Sequence, residues 1–536
     1  MKKTLLSFLV LLLLLTLTAC GGSENPEKTE PPVTVAPREE IFSAEDLDST
    51  YSTKGAAVIT LCDTTATAES DAVRIVENAV TILDEGTYIL RGSLKGTLTV
   101  SADPADLVTL VLDGAELQKG GTPPLRITKA AKVKIIVVGE ANSIKNTATG
   151  VSADNLNDAI LSKAPLVLTG DGILRVHSSG GHGITVKDTL TVSGGRYTVN
   201  AKRHALDANE AICLTGCTMN LTAGMDGIHA ENTTTPTLAP LYIADGSYTV
   251  NATGDAISTS DAMQIGGGSF TLKAGGGSTK ASSLSAGGKG LKAATALTVA
   301  AGSFTIDAAD DACHANLSVT IGDATLTLAT GDDAIHADDS LHVAAGRISV
   351  SACYEGLEAR HVRIDGGTLD IRATDDGINA LGGQDAAAGD SFASGDGSIT
   401  VTGGIVSIYA HGDAIDAKGS FTMTGGEVTL EVPMQGGSAI LGYTSSATVT
   451  GGTVIGVGSS AAPRSFTSAA QGVIALSVGY SAEGSALSVH TPSGKTVLNY
   501  TPKEAYAYLL ISSPALAAGE EYTVTVGEKT LTVTAE

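Results

Sequence analysis

The sequence predicts an all-β protein, a right-handed parallel β-helix solenoid closed by a small C-terminal β unit. Three observations lead there. First, short rungs recur: GHGITV, RHALDA, MDGIHA, GDAIST, GKGLKA, DDACHA, DDAIHA, YEGLEA, DDGINA and GDAIDA. Their apolar anchors are Ile184, Leu206, Ile228, Ile257, Leu291, Cys313, Ile335, Leu357, Ile378 and Ile415, and the commonest gap between them is 22 residues. A fixed period in the twenties marks a solenoid rather than a propeller, whose blades need about twice that length. Second, segments such as LTVSGGRYTVNA, LHVAAGRISVSA and FTMTGGEVTLEV alternate apolar and polar residues, which means strands with one buried face. Third, a glycine turn divides each such segment, so every period supplies three short strands. The anchor series starts upstream at Ile160, in NDAI.

The elements follow in order. Lys2 and Lys3, the apolar run Leu5–Leu17 and the ending Leu-Thr-Ala-Cys predict a lipoprotein signal over 1–20, with Cys20 as the lipidated residue. The apolar run is too short to span a bilayer. Residues 21–41, rich in Gly, Pro and Glu, predict a disordered tether. The β-helix is expected over 42–460. AYLLIS, YTVTVG and LTVTA within 461–536 predict a β cap over the exposed end that a solenoid must cover. The longer gaps place polar insertions at 231–240, 275–288 and 381–397. The column Tyr197, Tyr248, Phe270, Phe304, Ile348, Leu369 and Val406 mixes aromatic and aliphatic residues and reads as an internal core stack.

The formal charge is −24, and −26 once Lys2 and Lys3 are removed. Such a surface excludes nucleic acid and anionic headgroups as partners and favours divalent cations. The cysteines match no zinc spacing, and Cys313 stands where other rungs carry Ile or Leu.

The acids have a pattern. Two residues before the anchor stand Asp158, Asp226, Asp255, Asp311, Asp333, Glu355, Asp376 and Asp413, and Asp310, Asp332 and Asp375 double the column. Neighbouring coils lie about 4.8 Å apart. Two carboxylates at that distance repel by roughly 3 kcal/mol at an effective dielectric near 20. Calcium takes six to eight oxygens and could bridge adjacent coils. Asp226, Asp255, Asp310, Asp311, Asp332, Asp333, Glu355, Asp375, Asp376 and Asp413 are therefore the expected Ca2+ ligands. The Gly or Ala before each anchor predicts a bend that turns these acids outward. His229, His314 and His336 follow their anchors as scattered single imidazoles, the pattern of surface or hydrogen-bonded residues. Lys289 and Lys292 interrupt the column, reading as salt-bridge partners of Asp255 and Asp311 and also as the local positive charge for a ligand.

The chain resembles a family of bacterial secreted parallel β-helix proteins of the carbohydrate-binding type. AAVITLCD, VTILDEGTYILRGSLKGTLTVSA, LVTLVLDGAELQ and VKIIVVGEANSI are similar to its N-terminal rungs. GDDAIHA and DDGINA are similar to its repeats, and LNYTPKEAYAYLLISSPALAAGEEYTVTVG to its C-terminal segment. The resemblance implies a pectate-lyase-like shape, binding of cellulose and acidic sugars, and calcium. The expectation is a monomeric, non-catalytic, calcium-dependent polysaccharide-binding lipoprotein on the cell envelope, touching membrane only through its lipid. Its ligand groove is expected along the acidic column between Asp226 and Asp413. A pectate-type lyase and a surface adhesin without a glycan ligand are the alternatives.

Overall fold

The computed structural model describes residues 33–150, 156–232, 240–280, 287–381, 396–434 and 437–536. Cys20, the signal and, within the polar insertions, residues 233–239, 281–286 and 382–395 lie outside the described residues.

The chain is an all-β parallel solenoid. One coil shows the unit: Leu190–Val192, Arg196–Ala201 and Leu206–Ala208. Each pairs in parallel with its counterpart in the next coil: Ile212–Leu214, Thr218–Ala223 and Ile228–Ala230. The anchors stack in register from Ile160 to Ile415, as the alignment required. Leu98 and Leu125 extend the column upstream. Inward residues from all three strands fill one apolar core. Inside it Tyr248, Phe270 and Phe304 stack with centroids 4.9 and 4.4 Å apart, so the aromatic column is internal.

Two glycine positions explain the coil's corners. Gly346, between the first and second strands, has φ +87°, where a side chain is strained. Gly377, before its anchor, leaves no room for more: a Cβ would lie 2.2 Å from Ile408 Cγ2. The chain does bend there, but it carries the preceding acid into the corner, not outward.

Both ends differ from plain coils. A linker was expected through residue 41, but residues 33–41 are packed against the solenoid. Residues 33–47, with the short helices Arg38–Ile41 and Ala44–Leu47, run across several coils on the outer face of the first strands. Ala36 N–H donates to Gln264 Oε1 at 2.8 Å, Phe42 packs edge-on against Tyr242, and Lys132 pairs with Asp46 at 2.8 Å. Apolar contact of Phe42, Val35 and Ile41 with Cys213 and Tyr242 overrides the linker-like composition. At the other end Tyr506–Ser512 pairs antiparallel with Thr453–Gly458 of the final coil, covering its open edge. Beyond it lies a four-stranded antiparallel sheet with its own core.

Candidate functional site

The column two residues before the anchor lies at the corner leading into the anchor strands. Its carboxylates are sunk there: Asp158 is 0% exposed, Asp311 1%, Asp333 5% and Glu355 8%. Burying a charge is costly unless it is bonded, and the bonds form a regular ladder. Each aspartate of the column accepts the backbone N–H of the residue in the same place one coil on. Asp226 Oδ1 takes Asp255 N–H at 2.9 Å, and Asp255 Oδ1 takes Lys289 N–H at 2.9 Å. Asp311 Oδ1 takes Asp333 N–H at 3.0 Å, Asp333 Oδ1 takes Glu355 N–H at 3.1 Å, and Asp376 Oδ1 takes Asp413 N–H at 2.7 Å. The ladder begins at Asp158, which takes His182 N–H at 2.8 Å, and ends where Asp413 takes Ala439 N–H at 2.7 Å.

Sequence reasoning missed two members. His182 and His204 stand in the same column, and His204 Nδ1 accepts Asp226 N–H at 3.1 Å, as an aspartate oxygen would. His182, His204 and His229 stack face to face with centroids 5.1 and 4.4 Å apart. His182, His204 and Asp207 each bring a ligating atom within 4.8 Å of the others. The Nδ1 lone pair of His204 is already committed to that amide, so the cap is the role the geometry supports. Burial, then the neighbouring His204, pushes His182 down to about 2; burial, then His229, pushes His204 down to about 4. His204 is thus neutral, as an acceptor must be, whereas His182 Nδ1 is buried without a hydrogen-bond partner.

The second histidine pair is partnered by carboxylates instead. His314 and His336 stack at 4.9 Å. His336 Nδ1 lies 3.2 Å from Asp333 and 2.9 Å from Glu358. Burial opposes its charged form, but the bonds to Asp333 and Glu358 and the charge of Asp311 prevail, pushing it up to about 12. Lys289 was expected both as a salt-bridge partner of the column and as positive charge for a ligand. Its ammonium points into the corner, 2.7 Å from Asp310 and 2.6 Å from Asp311, as the salt-bridge reading requires and not toward a ligand. Burial opposes that charge too, but Asp311 and Asp310 hold Lys289 above its usual range. Lys292 lies 3.3 Å from Asp255, so both lysines serve as counter-charges. Asp310, Asp311 and Asp332 bring carboxylate oxygens within 4.8 Å of one another, but the Lys289 ammonium already sits on two of them. A calcium ion at that place would have to displace it.

A further break in the ladder lies at Glu355. Glu355 is one carbon longer than the aspartates, and among the described residues no bond links it to the Asp376 amide. Its Oε1 accepts Asn379 Nδ2 at 3.0 Å. Glu355 Oε2 and Asn379 Oδ1 are both buried acceptors with no donor. Burial, then Glu358, pushes Glu355 up to about 9, and Asp376 and Asp375 add to it. Burial likewise takes Asp376 up to about 7. Oxygen-only ligands, two of them donorless and surrounded by further carboxylates, fit a hard cation such as calcium. Of the expected ligands, Asp375 and Asp376 act on Glu355 through their charge, but among the described residues the three do not bring ligating oxygens within 4.8 Å of one another. Asp226, Asp255, Asp311, Asp333, Asp376 and Asp413 act as ladder caps.

The family described as carbohydrate-binding domain-containing protein matches residues 76–334 and 331–485, most of the chain. The chain belongs to that family. It is 27% identical over 137 residues to an Acetivibrio thermocellus protein described in the same words. That match covers 24% of this chain and 48% of the relative, so the chain spans about half the length of the curated relative it matches. A solved polysaccharide lyase-like protein from C. thermocellum, a gadolinium derivative, is 22% identical. It covers 54% of this chain and 96% of its own, with a TM-score of 0.37.

Proposed function

We propose that this protein is a non-catalytic, calcium-dependent polysaccharide-binding lipoprotein, held outside the cytoplasm by lipid on Cys20. Its solenoid winds as a right-handed β-helix, the hand adopted by about 98% of parallel crossovers. The glycan reading is supported by the family and by the geometry of a solenoid. Equivalent side chains repeat at equal steps along a straight face, as sugars repeat along an acidic or cellulosic chain, so many weak contacts can add.

The calcium reading rests on one observation, the two donorless buried oxygens of Glu355 and Asn379. Glu355 and Asn379, with Asp376 and Asp375, would hold the ion. Calcium would supply the positive charge and the coordination that this break in the ladder lacks. A lyase would need a cation able to release its proton, and Lys289, clamped by Asp310 and Asp311, is held the other way.

A glycan array run with calcium and again with chelator tests the proposal. Hits that vanish in chelator are expected. No hits in either condition would favour an adhesin without a glycan ligand. Ultraviolet absorbance from unsaturated uronate ends, on mixing with polygalacturonate and calcium, would establish a lyase. Fatty-acid labelling of the parent that is lost in Cys20→Ala checks the anchor.

A further inference from the structure

The second strands of the early coils carry a groove that the acidic column does not share. Gly86–Leu94, Leu107–Lys119, Asn142–Asn146, Ile173–Ser178 and Arg196–Ala201 lie side by side. Leu94, Leu117, Ile144 and Val176 point into the core, so their neighbours on either side point out. One outward file reads Gln118, Lys145, His177, Asn200, each paired with the next. The file beside it reads Ser143, Arg175, Thr198. These side chains line a cavity of about 300 Å³.

Its charge is opposite to that of the chain. Lys95, Lys145 and Arg175 line it against a single acid, Glu116. Lys95 is partly neutralised by Asp63, 2.9 Å away. Lys145 has no hydrogen bond or ion pair among the described residues. Arg175 Nη1 donates to the Glu140 carbonyl at 2.8 Å, which orients the guanidinium without cancelling its charge. Leaving cations unpaired on a chain of formal charge −24 costs no packing and concentrates positive potential at one place. The Arg175 file also continues beyond the cavity as Asn220, Thr249, Thr271, Thr305 and Thr327, one amide or hydroxyl per coil. That step is about 4.8 Å, comparable to the advance of one sugar along an extended chain.

We infer that this groove is the glycan site, and that it binds an extended anionic polysaccharide whose acidic group sits between Lys145 and Arg175. Gln118, His177 and Asn200 bond the hydroxyls of the same sugars, and the Thr/Asn file carries the rest of the chain. This rests on the polysaccharide-binding reading and moves its site from the acidic corner to a different sheet. A carboxylate and a sulfate ester share the required chemistry.

The test measures binding of the full chain to polygalacturonate, to dextran sulfate and to neutral cello-oligosaccharides, all with calcium present. The parent should bind at least one of the two anionic glycans, and binding should weaken with salt. Which of them binds identifies the acidic group. Lys145→Gln with Arg175→Gln should weaken that binding by roughly 10- to 100-fold, the loss expected for removed charge-assisted bonds. The melting temperature should stay put, because both side chains are at the surface. Lys145→Gln alone, which touches no hydrogen bond, should give roughly a tenfold loss and covers the case of a misfolded double variant. Parent binding that survives these substitutions, or parent binding to neutral glycan alone, overturns the inference and leaves the function standing. A parent that binds none of the three glycans overturns both.

Discussion

Asp333 and Glu355 occupy the same column on adjacent coils, and the corner around each is built alike. Asp333 reaches the next coil's amide, at 3.1 Å, and gives its other oxygen to His336. Glu355, one methylene longer, misses that amide and leaves an oxygen without a donor, beside a second donorless oxygen on Asn379. The carboxylate repulsion along the column is offset at the Asp311 coil by an amide, Lys289 and protonated His336, whereas burial and the charges of Asp311 and Glu358 still hold Asp333 above the usual carboxylate range despite its bond to His336. The repulsion is not offset at Glu355. A repeated acid is thus a structural cap where it bonds the next coil and a candidate cation ligand where it does not.

The largest expected effect breaks the filled side of this comparison. Asp311→Ala strips the cap from the Asp333 amide and leaves Lys289 and His314 without their buried partner. Losing one member of a buried, bonded ion pair costs about 3–5 kcal/mol. Denaturant unfolding should show that loss, and a change near zero would mean that the ladder does not hold the coils in register.

A smaller effect sharpens it at the first rung. Asp158 is fully buried, and burial raises it from 3.8 to about 6 despite its bonds to Thr185 and the His182 amide. A raised acid favours the fold while it is protonated. Its contribution is complete below about pH 4 and is lost as pH rises through 6. Asp158→Asn keeps the acceptor for His182 N–H and removes the charge. It should therefore be more stable than the parent at pH 7, by at most about 3 kcal/mol for two pKa units. The advantage should disappear at pH 4, and melting curves at the two pH values check it. An equal difference at both would show that Asp158 does not titrate in this range.

The coils themselves were legible in the sequence. The period placed all the anchors in register, and alternation put Tyr248, Phe270 and Phe304 inside. The orientation of the acids was not legible, because the bend at Gly377 and its equivalents breaks the period-2 rule without saying which way the next side chain goes. His204 was missed because an imidazole does not resemble an aspartate until its Nδ1 is seen capping an amide. Glu355 read as one more acid, since one methylene matters only against a fixed corner. Residues 33–41 read as linker because their few apolar side chains match the partners Cys213 and Tyr242 some 200 residues away. The cationic groove was invisible for a similar reason. Lys145 and Arg175 lie 30 residues apart in the sequence and face the same groove only after coiling.

The most direct test of the comparison is the calcium-dependent melting shift of the parent beside that of Glu355→Asp. In the parent, calcium at a hundredfold excess over its dissociation constant should stabilise the fold by about 2.7 kcal/mol. Glu355→Asp restores the length that reaches the Asp376 amide. It should raise the melting temperature in chelator and abolish the calcium shift. A parent that does not respond to millimolar calcium, or a variant that keeps the full response, would contradict the account.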